Sequence, residues 1–378
     1  MKKLYSIIIA VILTASFKIN VTSASAKELN YKSSYTIDYN SKTVISSYNE
    51  DEKLPIASMT KIMLLNLIFE NEKQGKISFD DEITISKNAS SMGGSQVFLE
   101  ANASYNIGEL VKSIVVASAN DSSVALAEHL YGSEENCVNE MNSLAKELNL
   151  SNTHFANCTG LPKPMHYSSA KDMATMFFKL ISYPKYFDYS TVWFEEFKHK
   201  NGSTEMANTN KLIKFYEGCD GGKTGFTNEA GFCLVATAKR GNMRLVSVVI
   251  GANTSKDRFN VVSSNFNVGF NNYTNKCVLD KNIPLIDKIY ISNAKENLNE
   301  VSPKENFYVF SKKGANDNIE VVYDFDVIKA PLSKGDVVGE ATIFNNGVEC
   351  GRVLIVLNNN VYKKSYGDYL EDIINKMA

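Results

Sequence analysis

Three short segments hold residues whose types and spacing could do chemistry together: Ser58-Met59-Thr60-Lys61, Ser118-Ala119-Asn120 and Lys223-Thr224-Gly225. A serine hydroxyl is a weak nucleophile until a base takes its proton. Three helical residues turn the chain by about 300°, so in a helix opened by Ser58 this residue and Lys61 share one face, a turn apart. Lys61 serves as that base only if its pKa is lowered, as burial and a second cation would do; Lys223 is the candidate cation. The amide of Ser58, at a helix N-terminus, can donate to a developing oxyanion with the positive end of the helix dipole behind it. Ser118 can relay a proton between Lys61 and a leaving amine. Asn120 can hold the Lys61 side chain and a substrate amide. Lys223 and Thr224 can bind a carboxylate, and Gly225 lets a backbone approach closely. Each segment alone is weak, since a serine at a helix start is ordinarily an N-cap. All three in this order, separated by 60 and 105 residues, are a specific signal.

The elements that must position these residues are legible from periodicity. Residues 33–49 read as an opening hairpin with a turn at Asn40-Ser41. A helix is expected from Ser58 to Glu70, followed by helical runs Glu109–Ala117, Ser122–Tyr131 and 134–148, the last with Val138, Met141, Leu144 and Leu148 at helical spacing. Residues 232–238 and 244–250 are strand runs joined by Arg240-Gly241-Asn242, a hairpin signal. Strands at both ends with helices between them predict an α+β unit whose terminal strands share one sheet. After residue 275 short β-rich runs recur, such as Phe307–Phe310, Val321–Tyr323 and Val353–Leu357, which predicts a small all-β unit. The chain closes on Tyr366, Tyr369, Leu370, Ile373, Ile374 and Met377, spaced as the apolar stripe of an amphipathic helix.

The triplet set is shared by class A β-lactamases and penicillin-binding proteins. More of the chain resembles the serine-type D-alanyl-D-alanine carboxypeptidases, the low-molecular-mass penicillin-binding proteins of peptidase family S11. The segments that carry the resemblance are Leu54-Pro55-Ile56-Ala57-Ser58, Ala119-Asn120-Asp121 with Ala125-Leu126-Ala127-Glu128, Thr159-Gly160-Leu161-Pro162 with His166-Tyr167-Ser168, Thr224-Gly225-Phe226-Thr227 with Ala230-Gly231-Phe232-Cys233, and Ala330-Pro331-Leu332-Ser333-Lys334-Gly335. The resemblance implies a β-lactamase/transpeptidase-like serine acyl-transfer domain, an antiparallel sheet with helices on both sides, followed by a small all-β domain. It implies that Ser58 forms an acyl-enzyme, that Lys61 accepts its proton, and that Ser118 and Asn120 complete the proton network. Lys223 and Thr224 would hold the substrate's terminal carboxylate, with Arg258 as a further carboxylate ligand, and the amides of Ser58 and Phe226 would form the oxyanion hole. The implied partners are peptidoglycan stem peptides ending in D-Ala-D-Ala and β-lactam antibiotics as covalent inhibitors.

Two chemical alternatives stay open at this level. A D,D-endopeptidase acting on peptidoglycan cross-links uses the same chemistry. A class A β-lactamase needs a Glu after S-x-N to activate the deacylating water, and no Asp or Glu lies between Glu147 and Asp172. A non-catalytic wall-binding protein on a degenerate fold would have lost polar motif residues, and here all are present.

Composition bounds the rest. The 378 residues suggest two or three units, and 44% apolar with 22% charged residues is ordinary for a globular chain. Forty Lys and Arg against 42 Asp and Glu give a net charge of −2 and no concentrated basic surface for nucleic acid. Residues 1–26, with Lys2-Lys3, an apolar run from Leu4 to Phe17 and Ala24-Ser25-Ala26, read as a secretory signal. Cleavage there removes three lysines and no acid, which moves the net charge from −2 to −5. The expected division is a signal over 1–26, a D,D-peptidase catalytic domain over 27–275, an all-β domain over 276–360 and an amphipathic tail helix over 361–378. The product would be extracytoplasmic, at the cell wall or the outer face of the membrane, with peripheral membrane contact through Tyr366–Met377 as one use of the tail. Of six cysteines most are expected to be free and buried; Cys158 with Cys219 is the pair to test first. The four histidines have no HExxH spacing, so neither a metal nor a cofactor is expected. His166 reads as structural, because Lys61 supplies the base.

Overall fold

The computed structural model describes residues 29–377; the expected export signal over 1–26 lies outside them. The main sheet has five antiparallel strands in the order Val44–Tyr48, Ser33–Asp38, Met243–Ala252, Gly231–Arg240, Cys219–Thr227. The two ends of the catalytic part therefore meet as adjacent strands, as the pattern of terminal strands predicted. Strand residues alternate between faces, and both faces of this sheet are buried. Cys233, Val235, Val246, Val248 and Ile250 face one core, whereas Leu234, Ala236, Ala238, Leu245 and Val249 face the other. The helix Ser255–Asn272 covers the second face. The helical layer, including Lys61–Lys73 and Ala170–Leu180, covers the first.

Lys61–Lys73 is the central helix. Every residue from Lys61 to Phe69 is buried, which fits a helix apolar nearly all round that passes through a core. Around it stand Ile107–Val116, Asn120–Tyr131 and Glu134–Glu147, within one or two residues of the helical runs read from periodicity. Two long helices escaped that reading, Ala170–Leu180 and Ser255–Asn272. Both carry a start signal: Ser169 caps Asp172 and Thr254 caps Asp257, the S/T-x-x-acid spacing of an N-terminus.

The helix expected from Ser58 requires a correction. Ala57–Thr60 is a 3-10 turn, and the α-helix starts at Lys61. Ala57 sits in the left-handed region at φ +47°, which a regular helix cannot include. The change tightens the alignment, because residues i and i+3 eclipse in a 3-10 turn.

From Tyr273 onward the chain is β-rich with its own apolar core around Val301, Val309, Val338, Ile343, Val353 and Ile355. A four-stranded sheet runs Val301–Pro303, Val348–Leu357, Val337–Asn345, Ile319–Phe325. The final helix spans Tyr366–Met377, and its stripe Tyr366, Leu370, Ile373, Ile374 and Met377 is exposed. Tyr369 reaches the β unit through its hydroxyl to Asn293, at 3.1 Å. All six cysteines are free. The Cys158–Cys219 pairing is not made, since Cys158 lies in the helical core and Cys219 in the core on the opposite face of the sheet.

Candidate active site

The three sequence segments converge where the edge strand Cys219–Thr227 runs past the 3-10 turn. Lys61 is fully buried, and its Nζ donates to Ser58 Oγ at 3.0 Å, to Asn120 Oδ1 at 2.7 Å and to the Thr159 carbonyl at 2.6 Å. All three partners are neutral. Burial therefore dominates and pushes the amine down to about 7, against smaller opposing effects of Cys158 and Asp121. Lys223, also buried, lies on the same side of the sheet as its cross-strand partner Val235. Among the described residues its Nζ donates only to the Thr224 carbonyl, at 3.3 Å. Burial, then Lys61 and Arg258, push it well below the ordinary lysine range. Thr224 is buried beside it.

Arg258 joins this group from the first turn of the Ser255–Asn272 helix. Its guanidinium donates to the Gly225 carbonyl at 3.1 Å and to that of Cys233 at 3.4 Å, and it lies over the Phe232 ring. Its buried Nε has no partner among the described residues, and burial lowers its pKa to about 10. Lys61, Lys223 and Arg258 thus cluster, and none of them forms an ion pair among the described residues. Such a desolvated cluster of basic side chains favours an anionic ligand.

Glycine decides how closely the parts approach. A Cβ on Gly225 would stand 2.6 Å from the Ile56 carbonyl and 3.3 Å from the Ser58 amide. A Cβ on Gly160, at φ +85°, would collide with the Ala57 carbonyl. Replacing Gly160 with Ala should therefore destabilise the protein by about 3 kcal/mol or more. Gly241→Ala, at φ +56° with open space around it, should lose only about 1–2 kcal/mol from backbone strain. Urea melts of the two variants measure the difference; equal losses would mean that the packing at Gly160 is unimportant.

Asn120 opens the helix Asn120–Tyr131. Its Oδ1 accepts from Lys61, and its amide nitrogen donates one of its two hydrogens to the Gly93 carbonyl at 2.7 Å. The next residue explains why the 93–99 segment lies there: the buried Asp121 carboxylate accepts the amides of Val97 and Leu99, both at 3.1 Å, and of Ser122 at 2.9 Å. Ser118 stands in the turn before this helix at φ +65°. Among the described residues its buried Oγ has no hydrogen-bond partner, Lys61 included. A strained, buried, unpaired hydroxyl costs about 1–3 kcal/mol on each count, and such features collect at functional sites. Phe226 is half-exposed and stacks on Phe232 with ring centroids 4.3 Å apart.

The Thr159 carbonyl was missed as an anchor of Lys61. It is presented by Asn157, whose Oδ1 accepts the amides of Thr159 at 3.2 Å and Gly160 at 2.7 Å. The signal was present as an Asn two residues before Thr-Gly, an Asx-turn pattern.

A family model described as D-alanyl-D-alanine carboxypeptidase matches residues 20–254, and another, described as penicillin-binding protein 5, C-terminal domain, matches residues 273–363. The chain is 39% identical to the D-alanyl-D-alanine carboxypeptidase DacF of Bacillus subtilis over 344 residues, which is 90% of this chain and 88% of the relative. Its fold is similar to that of penicillin binding protein 5 from Haemophilus influenzae, with 29% identity, a TM-score of 0.72 and coverage of 89% of this chain and 98% of the other. It is also similar to penicillin-binding protein D2 from Listeria monocytogenes in the ampicillin-bound form, at 28% identity and a TM-score of 0.58, covering 65% of this chain and 99% of that one.

Proposed function

The chain belongs to the D-alanyl-D-alanine carboxypeptidases of peptidase family S11, and from that premise we propose how its residues perform the reaction. It is a serine D,D-carboxypeptidase that removes the terminal D-Ala from peptidoglycan stem peptides, and penicillins acylate it. Ser58 Oγ attacks the carbonyl of the penultimate D-Ala while neutral Lys61 takes the proton. The amides of Ser58 and Phe226 receive the developing oxyanion. Lys223 and Thr224 take the terminal carboxylate, with Arg258 adding positive potential behind Gly225. Ser118 passes a proton to the departing D-Ala nitrogen, and water then hydrolyses the ester at Ser58. One observation carries this reading: the Lys61 amine lies 3.0 Å from Ser58 Oγ, fully buried and bonded to neutral acceptors alone. The segment between Glu147 and Asp172 offers no carboxylate to activate a deacylating water in the class A manner.

Brief exposure to benzylpenicillin followed by peptide mass mapping tests the assignment. The expected result is a persistent adduct on the peptide that contains Ser58. An adduct elsewhere would refute the nucleophile, and rapid penicillin turnover without adduct would refute the carboxypeptidase mechanism.

Residues 1–26 direct export, 27–275 form the catalytic domain, 276–360 the all-β domain and 361–378 the tail. The enzyme then acts outside the cytoplasm. The exposed apolar stripe of Tyr366–Met377 supports peripheral membrane contact; no described helix is long and apolar enough to cross a membrane.

A further inference from the structure

His166 is buried, outside the proton pathway just described, and its two ring nitrogens are both engaged. The Ala156 amide donates to Nδ1 at 3.0 Å, and Nε2 lies 2.6 Å from Thr60 Oγ1. Thr60 Oγ1 also lies 2.8 Å from the Ala57 carbonyl, to which it donates. Two constraints then select one form of the ring. An amide donor at Nδ1 requires that nitrogen to be unprotonated. Thr60 has a single hydroxyl hydrogen, already given to Ala57, so it must accept from Nε2–H. Both demands describe the same neutral tautomer, and burial favours it by pushing His166 down to about 4.

The bonds form a chain that ends on the residue before the nucleophile: Ala156 N–H to His166, His166 to Thr60, Thr60 to the Ala57 carbonyl. Ala57 needs such support, because φ +47° is unfavourable for alanine. The same loop reaches the nucleophile turn elsewhere, through Leu54–Ser168 backbone pairing at 2.8 and 3.0 Å and through the Thr159 carbonyl on Lys61. His166 is the side-chain link between them. It touches neither Ser58 nor Lys61 by a hydrogen bond.

We propose that His166 is a positioning residue for acylation, directing the Thr60 hydroxyl onto the Ala57 carbonyl so that Ser58 is presented to Lys61. This rests on the acyl-enzyme reading above. The role is separable from simple packing, because two side chains each reproduce half of the ring. Gln reaches as far as Nε2 and carries an N–H for Thr60. Asn matches Nδ1 with its oxygen and keeps the Ala156 bond, yet cannot reach Thr60.

The test is the second-order rate of acylation by benzylpenicillin, on the full chain, for His166→Asn, His166→Gln, Thr60→Val and the double variant Thr60→Val with His166→Asn. His166→Asn and Thr60→Val should each slow acylation by about 10–100-fold, the loss expected when a reacting group is displaced by about an ångström. The double variant should be no more than about threefold slower than the slower single variant, since both break one chain. His166→Gln should stay within about fivefold of wild type. Melting curves on the same samples separate folded from unfolded fractions, and rates are normalised to the folded fraction. Multiplying losses in the double variant, or an Asn variant faster than the Gln variant, would overturn the positioning role. A wild type that takes no adduct at Ser58 would overturn the acyl-enzyme reading and this role with it.

Discussion

Ser58→Ala should abolish the penicillin adduct and lower D-Ala release by about 10⁴-fold or more, the scale seen when a nucleophile is removed from a serine peptidase. A factor of 10⁴ corresponds to about 5.4 kcal/mol of lost transition-state stabilisation. Stability should barely change. Ser58 is only partly buried, and the bond its hydroxyl makes is the one from Lys61; losing it leaves the amine with Asn120 and Thr159. The measurement is D-Ala released from a stem pentapeptide, beside a thermal melt. A folded Ala variant with wild-type turnover would remove Ser58 from the mechanism.

Lys61 should be nearly as sensitive, and in a way that separates base from charge. Lys61→Met and Lys61→Arg should both lose about 10³–10⁴-fold in acylation, the upper range of general-base catalysis. Arginine keeps the positive charge but cannot accept the proton, so an Arg variant that retained activity would show that the cation, not the base, is what the site needs. The pH dependence carries the same sign. Burial pushes the amine down to about 7, and only its neutral form takes a proton. Wild-type acylation should rise through that pH and fall tenfold per unit below it, while the Met variant's residual rate should not show this limb. Acylation that fell as pH rose through 7 would contradict the base assignment.

Stability gives an independent reading of the same group. Lys61 is lowered in the folded state relative to about 10.4 in the unfolded chain. The unfolded chain then binds more protons between these values, so wild-type stability should rise with pH across that window. The advantage of Lys61→Met should be greatest below about pH 7 and shrink towards pH 10. Urea melts at several pH values measure it.

Much of this site was legible beforehand because it is written in local spacing. Ser58 and Lys61 are three residues apart, and any helical geometry stacks them. The strand runs in 232–238 and 244–250 announced a sheet, and the family resemblance implied helices on both of its sides; which segment forms the second cover was not legible, and it is the Ser255–Asn272 helix, whose Thr254–Asp257 cap went unread. Arg258 sits in that helix and reaches the Gly225 carbonyl. The anchors of Lys61 were less legible. Thr159 is 98 residues from it and contributes a carbonyl, which every residue type possesses. Asp121, quoted only as part of a motif, proves to hold the 93–99 segment by its amides. His166 looked structural, and its place in a chain of bonds to Ala57 depends on three segments folding together.

By itself, then, the sequence determined which functional groups exist and which pairs lie within a turn of each other, because covalent connectivity sets distances over a few residues. Only the tertiary structure decided what those groups are. Lys61, the proposed base, has its pKa lowered because the assembled core removes water from around it and supplies neutral acceptors from Ser58, Asn120 and Thr159, without a carboxylate within ion-pair distance among the described residues. Desolvation belongs to the assembled core, and no local pattern encodes it.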